Sequence, residues 1–219
     1  MFSRRRLPHA VLFDMDGTLV DSEHYWVSSE KALAAEFNGT WTNDDGLSVV
    51  GMSLTDSSEV FKSKVETDLT AEQVVQRLTD SVSEQLAREI PWRPGAKELL
   101  LEIRRAGIKT ALVTMSLHRM AKQVVDSIDF DAFDVIIAGD DVRNGKPHPE
   151  PYLLAAERLG VDPQNCVAFE DSLSGLRSAE AASTKAVGIP NVIPIEQIPG
   201  RILWDSLSGK TLRDLRKLF

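Results

Sequence analysis

The sequence contains a single cysteine, only 6% aromatic residues and no long apolar run. Cys166 alone cannot form an intramolecular disulfide, which excludes a small disulfide-stapled domain. No stretch reaches the about 20 consecutive apolar residues that a membrane span requires. The basic start, residues 1–6, is not followed by an apolar stretch of signal-peptide length. We therefore expect a cytoplasmic protein without a membrane partner.

Negative charge is concentrated in one segment of the chain. Residues 22–91 carry 13 acidic and 5 basic residues, whereas the remainder carries 20 of each, and the whole chain has a formal charge of −8. An acidic surface repels phosphate backbones, so we expect no nucleic-acid partner. With 219 residues, of which 42% are hydrophobic, the chain can form one large domain or a domain with an insert.

The acidic segment differs from the rest of the chain in its apolar spacing. Apolar residues recur at helical intervals over residues 23–37, 54–65 and 71–90, with a turn-rich break at residues 39–46. Outside the segment, short apolar runs alternate with helical patterns. The runs occupy residues 10–13, 109–114, 135–138, 166–169 and 185–189. Short apolar strands separated by helices predict an α/β fold with a parallel sheet covered on both faces.

Polar residues follow four of these strands. The clusters are Asp14 and Asp16, Thr114-Met115-Ser116, Gly145-Lys146-Pro147, and Glu170-Asp171. Each cluster alone is compatible with helix capping or with a solvated surface. In open α/β sheets, however, ligands bind at the carboxyl ends of strands. Two acids placed one residue apart after a buried strand are also costly to desolvate without a cation or a reaction.

The chain resembles the haloacid dehalogenase superfamily of hydrolases. The resemblance lies in the three later clusters, in their order along the chain, and in the string Asp14-Met15-Asp16-Gly17-Thr18-Leu19-Val20-Asp21-Ser22-Glu23. The resemblance is to the phosphatase type, and it is similar to sugar-phosphate phosphatases and β-phosphoglucomutases. It implies a Rossmann-like core of residues 1–21 and 92–219. It also implies a small all-helical cap, residues 22–91, that is inserted after the first strand and sets substrate specificity.

The resemblance also implies roles for the acidic residues. Asp14 would be the nucleophile that forms an aspartyl-phosphate, and Asp16 would act as general acid and then as general base. The implied cofactor is Mg²⁺, which prefers oxygen ligands. Its ligands would be the Asp14 side chain, the Asp16 carbonyl and Asp171, with Glu170 either binding the metal directly or bracing its waters.

The phosphate group would be bound at the second and third clusters. Thr114 is the first candidate for the hydroxyl that holds the phosphoryl oxygens, and Ser116 is the other, together with backbone N–H groups around Met115. Lys146 would neutralise the nucleophile and the phosphoryl group. The resemblance further implies a cis peptide bond between Lys146 and Pro147.

The remaining residues bear on the choice among activities. Dehalogenases of the superfamily lack the second motif aspartate, so Asp16 favours phosphate chemistry. The related mutases have a histidine where this chain has Trp26 and an arginine where it has Leu54, which favours hydrolysis. His24 and Trp26 are candidate substrate contacts, although His24 could be solvent-exposed and Trp26 could pack in the cap.

We expect a Mg²⁺-dependent phosphomonoesterase that acts on a small phosphorylated metabolite, such as a sugar or polyol phosphate, as a monomer or weak homodimer. A β-phosphoglucomutase-like activity is the alternative. A non-catalytic binding module is a further alternative, which the intact set of four clusters disfavours.

Overall fold

The computed structural model describes residues 6–219, in which six parallel strands form one sheet. In chain order the strands are β1 (Ala10–Phe13), β2 (Lys109–Val113), β3 (Val135–Ile137), β4 (Cys166–Glu170), β5 (Lys185–Gly188) and β6 (Ile202–Leu203). Their order across the sheet is β3-β2-β1-β4-β5-β6, and each neighbouring pair is parallel. The strand β1 therefore lies in the middle, between β2 and β4.

The α-helices fall into two groups along the chain. Those between β1 and β2 are α1 (Glu23–Glu36), α2 (Asn43–Val49), α3 (Leu54–Lys64), α4 (Ala71–Arg88) and α5 (Ala96–Arg105). Those after β2 are α6 (His118–Asp126), α7 (Glu150–Leu159), α8 (Leu173–Ala181) and α9 (Leu212–Arg216). No helix within residues 6–219 combines the length and apolarity needed to cross a bilayer.

Side chains of the central strand alternate between two apolar layers, as the period of a strand requires. Val11 and Phe13 belong to a core that includes residues of α5, α6 and α9. Ala10 and Leu12 belong to a second core that includes residues of α7 and α8. Both faces of the sheet are thus covered by helices, which confirms the predicted α/β class and explains why the central strand β1 is wholly apolar.

The helices α1 to α4 contribute a third apolar cluster of their own. It contains Leu33, Trp41, Phe61 and Leu78, each at most 6% exposed. Residues 22–91 therefore contain helices and no strand of the sheet. The division into a core, residues 1–21 and 92–219, and a cap, residues 22–91, stays a prediction, and residues 1–5 of that core lie outside the described residues.

Two local predictions were wrong. The turn-rich break expected at residues 39–46 extends too far, because α2 already begins at Asn43. Thr42 and Asp45 form a capping box there: the Thr42 hydroxyl accepts from the Asp45 N–H at 3.1 Å, and Asp45 accepts from the Thr42 N–H at 2.8 Å. The strand β6 was not predicted, since two residues are too few to show a strand period.

Candidate active site

The four polar clusters converge because their strands are neighbours. Phe13 of β1 is in register with Leu112 of β2 and with Phe169 of β4. The residues that follow therefore leave the same edge of the sheet together. The Asp14 N–H still donates to the Phe169 carbonyl at 3.0 Å, which fixes the start of the first loop against β4.

Three buried carboxylates form the centre of the site. Asp14, Glu170 and Asp171 each offer an oxygen, and these oxygens all lie within 4.8 Å of one another. The Lys146 ammonium lies 2.6 Å from Asp14 Oδ1 and 2.6 Å from Glu170 Oε1, and it donates to the Val113 carbonyl at 2.9 Å. One cation thus faces three acidic groups, which leaves an excess of negative charge in a buried place.

The pKa values reflect this excess. Burial raises the pKa of Asp14 to about 7, with Lys146 opposing the shift and Glu170 adding to it. Burial, followed by the charges of Asp14 and Glu170, raises the pKa of Asp171 well above its usual range. Burial alone would lower the pKa of Lys146, but the two carboxylates beside it raise that pKa, so its amine stays protonated.

The carboxylate group fits a divalent cation. Asp14 Oδ2 is buried and has no hydrogen-bond partner within residues 6–219, which is costly unless something else binds it. An all-oxygen donor set suits a hard cation. Gly17 has a φ of +79° and no side chain, and a Cβ there would lie 1.9 Å from Asp171 Oδ2. Glycine at this position therefore lets Asp171 approach the first loop.

Glu170 is held by neighbours on both of its oxygens. The hydroxyl of Tyr152, a fully buried residue of α7, donates to Oε1, and the Ser172 hydroxyl lies 3.4 Å from Oε2. A Cβ on Gly175 would lie 1.9 Å from Oε2. Because both of its oxygens are confined in this way, Glu170 is better suited to hold the waters of a metal ion than to bind the ion directly. Sequence reasoning missed Tyr152, because nothing in an apolar helical pattern marks one aromatic as a hydrogen-bond donor.

The Asp16 side chain lies apart from this group and accepts four hydrogen bonds. Its Oδ1 accepts from the Ser22 hydroxyl at 2.5 Å and from the Trp26 indole N–H at 3.2 Å. Its Oδ2 accepts from Ser116 at 2.7 Å and from Thr114 at 3.3 Å. Both hydroxyl candidates for phosphate binding are thus brought to the site, and both contact Asp16.

The two candidate substrate contacts on α1 are placed differently. Trp26 lines the central cavity and orients Asp16. His24 is exposed, its ring lies 4.1 Å from the Tyr25 ring, and it does not line the cavity. Ser22 was not predicted as a functional residue. Its position at the end of the motif string, directly before α1, was the available signal.

Met115 supports the loop that carries Lys146. Its sulfur accepts from the Lys146 backbone N–H at 3.3 Å, and a Cβ on Gly145 would lie 2.8 Å from that sulfur. The Lys146–Pro147 peptide bond is cis, as the resemblance implies. The side chain of Met115 therefore packs beneath the lysine loop, while the residue also lines the cavity.

A cavity of about 90 Å³ connects these groups. Asp14, Asp16 and Asp171 line it at the sheet edge, and residues of α1 and of the segment from α2 to α3 line the rest of it. A wider groove adjoins the cavity and shares Met115 and Lys146 with it. The reactive carboxylates thus face a space enclosed largely by the helical segment.

Comparisons with known proteins agree with this geometry. The family described as haloacid dehalogenase-like hydrolase matches residues 8–183. A phosphorylated carbohydrates phosphatase from Thermotoga maritima is 32% identical over 81% of this chain and 83% of its own. Hexitol phosphatase B from Escherichia coli (strain K12) is 29% identical over 94% of this chain and 96% of its own.

A solved structure extends the agreement to the whole fold. The crystal structure of a CbbY mutant from Rhodobacter sphaeroides, in complex with xylulose-(1,5)bisphosphate, has a TM-score of 0.87 and 28% identity. The similarity covers 95% of this chain and 99% of that one. With its family match and its phosphatase relatives, this chain belongs to the haloacid dehalogenase-like hydrolases and is a phosphatase.

Proposed function

We propose that the protein is a Mg²⁺-dependent phosphomonoesterase that releases inorganic phosphate from a small sugar or polyol phosphate through an aspartyl-phosphate on Asp14. The observation that carries this proposal is the unpartnered, buried Oδ2 of Asp14, a residue that lines one cavity together with Asp16, Lys146 and Asp171. Two relatives, the phosphorylated carbohydrates phosphatase and hexitol phosphatase B, support this substrate class by the activities for which they are named.

In the first step, a carboxylate oxygen of Asp14 attacks the phosphorus of the substrate. A bond forms between that oxygen and phosphorus, and the bond from phosphorus to the substrate's alcohol oxygen breaks. Asp16 gives its proton to the leaving oxygen, so the alcohol departs neutral. Lys146 binds Asp14 Oδ1 at 2.6 Å, which leaves Oδ2 as the oxygen without a hydrogen-bond partner among the described residues.

In the second step, water replaces Asp14 on phosphorus. Asp16, now a carboxylate, takes a proton from the attacking water. The new bond to phosphorus forms as the bond to the Asp14 oxygen breaks, which releases inorganic phosphate and restores Asp14. The four donors around Asp16 hold its carboxyl group in one orientation, both when it is an acid in the first step and when it is a base in the second.

Asp14, Asp171 and the Asp16 carbonyl would hold the Mg²⁺, with Glu170 bracing the site. When bound, the ion supplies positive charge that stabilises the negative oxygens of the phosphoryl group. Thr114, Ser116 and backbone N–H groups around Met115 would bind those oxygens from the other side, together with Lys146.

The mutase alternative has weaker support. The two curated relatives described above are named phosphatases. The position at which mutases have a histidine is Trp26, whose indole donates to Asp16 and offers no basic nitrogen. We therefore expect water, rather than a second sugar hydroxyl, to receive the phosphoryl group.

Phosphate release tests this proposal. We expect hydrolysis of p-nitrophenyl phosphate and of hexose or hexitol monophosphates, loss of activity in excess EDTA, and recovery with MgCl₂. Asp14→Asn should abolish turnover while the variant stays folded by circular dichroism. Full activity of Asp14→Asn, full turnover in excess EDTA, or isomerised sugar phosphate without phosphate release would each contradict the proposal.

A further inference from the structure

Two acidic side chains from α1 line the same cavity as the catalytic aspartates. Glu23 and Glu30 both line the cavity, with Val27 between them. They are seven residues apart, about two helical turns, so they share one face of the helix. The part of a substrate that extends from the phosphate toward α1 would therefore meet two carboxyl groups.

These carboxyls are largely free to accept hydrogen bonds from a ligand. Glu30 Oε2 accepts from the Trp41 indole at 2.8 Å, and its other oxygen has no hydrogen-bond donor among the described residues. The Glu23 side chain makes no hydrogen bond or ion pair with any part of the chain that the structure describes. Burial raises the pKa of Glu23 to about 8 and that of Glu30 to about 7, which indicates how unfavourable negative charge already is here.

Positive charge is scarce in the same cavity. Among residues 6–219, Lys146 is the one lysine, arginine or histidine that lines it. That lysine is already bound by Asp14, by Glu170 and by the Val113 carbonyl. A second phosphate or a carboxylate on the substrate would therefore be buried beside acidic groups without a counter-ion, which is costly.

We propose that this cavity selects monophosphates whose remaining part carries hydrogen-bond donors, hydroxyl or ammonium, and no second anionic group. Glu23 and Glu30 are the specificity-determining residues, and they accept hydrogen bonds from those donors. The inference rests on the proposed function, since it requires the phosphate group to lie at Asp14.

The adjoining groove offers a different position for a second anion. Arg119 and Arg143 line it, but they lie outside the central cavity. Arg119 is also paired with Asp80 at 2.6 Å. If the enzyme hydrolysed a bisphosphate and this activity required Arg143, the second phosphate would lie in the groove. That result would overturn the proposed selectivity of the cavity against a second anionic group.

Matched substrate pairs test the selectivity of the wild-type enzyme. Glucitol 6-phosphate and 6-phosphogluconate differ by one carboxylate, and glucose 6-phosphate and glucose 1,6-bisphosphate differ by one phosphate. We expect kcat/KM to be at least about tenfold lower for the anionic member of each pair, the loss expected when a charged group lacks its partner. Equal or higher kcat/KM for either anionic member overturns the proposal.

A third pair separates the two kinds of donor. Glucosamine 6-phosphate adds an ammonium to glucose 6-phosphate without adding an anion. A higher kcat/KM for the amino sugar would identify ammonium as the donor that the carboxyls prefer, and equal values would identify hydroxyl. A lower value for the amino sugar by tenfold or more would contradict carboxyl recognition.

Substitutions test the two residues directly. Glu23→Leu and Glu30→Leu, which remove the acceptor oxygens, should each lower the ratio of kcat/KM for glucitol 6-phosphate to that for p-nitrophenyl phosphate by about tenfold, mostly through KM, because the aryl group has no hydroxyl donors. Glu36→Leu, on the same helix but exposed and outside the cavity, is the matched control and should leave the ratio unchanged.

The outcomes separate this proposal from the function it rests on. Unchanged ratios in both Leu variants overturn the assignment of Glu23 and Glu30, whatever the wild-type selectivity. Failure of the wild-type enzyme to hydrolyse p-nitrophenyl phosphate would instead overturn the proposed function. Hydrolysis of p-nitrophenyl phosphate with no preference against anionic substrates overturns the selectivity alone.

Discussion

Without divalent metal, Asp14 should destabilise the fold as the pH rises toward neutrality. The pKa of Asp14 is 3.8 in an unfolded chain and about 7 in the fold, where burial raises it. A folded state with the higher pKa binds a proton that the unfolded state has already lost. The contribution of Asp14 to the stability of the metal-free fold is therefore greatest below about pH 4 and is lost as the pH rises through about 7. A divalent cation takes the place of the proton and should remove this loss.

The size of the effect follows from the pKa difference. At about 1.4 kcal/mol for each pKa unit, the rise from 3.8 to about 7 corresponds to about 4 kcal/mol. A cation present at about 100 times its Kd restores about 2.7 kcal/mol. For a chain of this length, that amounts to a Tm increase of about 5–10 °C.

Thermal unfolding at about pH 5 and about pH 7.5, in EDTA or in MgCl₂, measures this prediction. We expect Mg²⁺ to raise the Tm at the higher pH and to have little effect at the lower pH, where protons compete with it. Asp171→Asn should remove the Mg²⁺ effect. Glu30→Gln, outside the three-carboxylate group, should keep it. An equal Mg²⁺ effect at both pH values, or one that survives Asp171→Asn, would refute the reasoning.

Three further substitutions address single contacts. Lys146→Met should lower the free energy of unfolding at neutral pH by about 3–5 kcal/mol in urea titrations, because it leaves buried carboxylates without their cation; a change below about 1 kcal/mol would contradict the buried pairing. Gly17→Ala should abolish Mg²⁺ binding by calorimetry, because a Cβ would lie 1.9 Å from Asp171 Oδ2, and unchanged affinity would argue against that ligand. Trp26→Phe should lower kcat about tenfold with little change in KM; an equal rise in KM alone would make Trp26 a substrate contact instead of a residue that orients Asp16.

The sequence predicted the sheet and the meeting of the polar clusters for the same reason. A short, largely apolar run predicts a strand that is buried on both faces. Such a strand is typical of a parallel sheet with helices on both sides. Because the carboxyl ends of parallel strands lie at one edge, residues as distant in sequence as Asp14, Thr114 and Asp171 could be expected to meet.

Side-chain contacts between elements could not be read from spacing. The hydroxyl of Tyr152 reaches Glu170 only because α7 packs across β1, β2 and β3 on the face of the sheet that carries Leu12. The indole of Trp26 reaches Asp16 only because α1 turns back over the first loop. Local periodicity reports which face of a helix is apolar, but it does not report which polar atom on another element that face meets.

Trapping of the covalent intermediate tests the central claim most directly. In an Asp16→Ala variant, p-nitrophenyl phosphate should still transfer its phosphoryl group, because nitrophenolate leaves without a proton, whereas water lacks the base that activates it. We predict one equivalent of nitrophenolate per active site in a rapid burst, and mass spectrometry of the acid-quenched protein should find one phosphoryl group on the peptide that contains Asp14. A phosphoryl group on any other residue, or steady turnover with no phosphorylated peptide, would contradict the account.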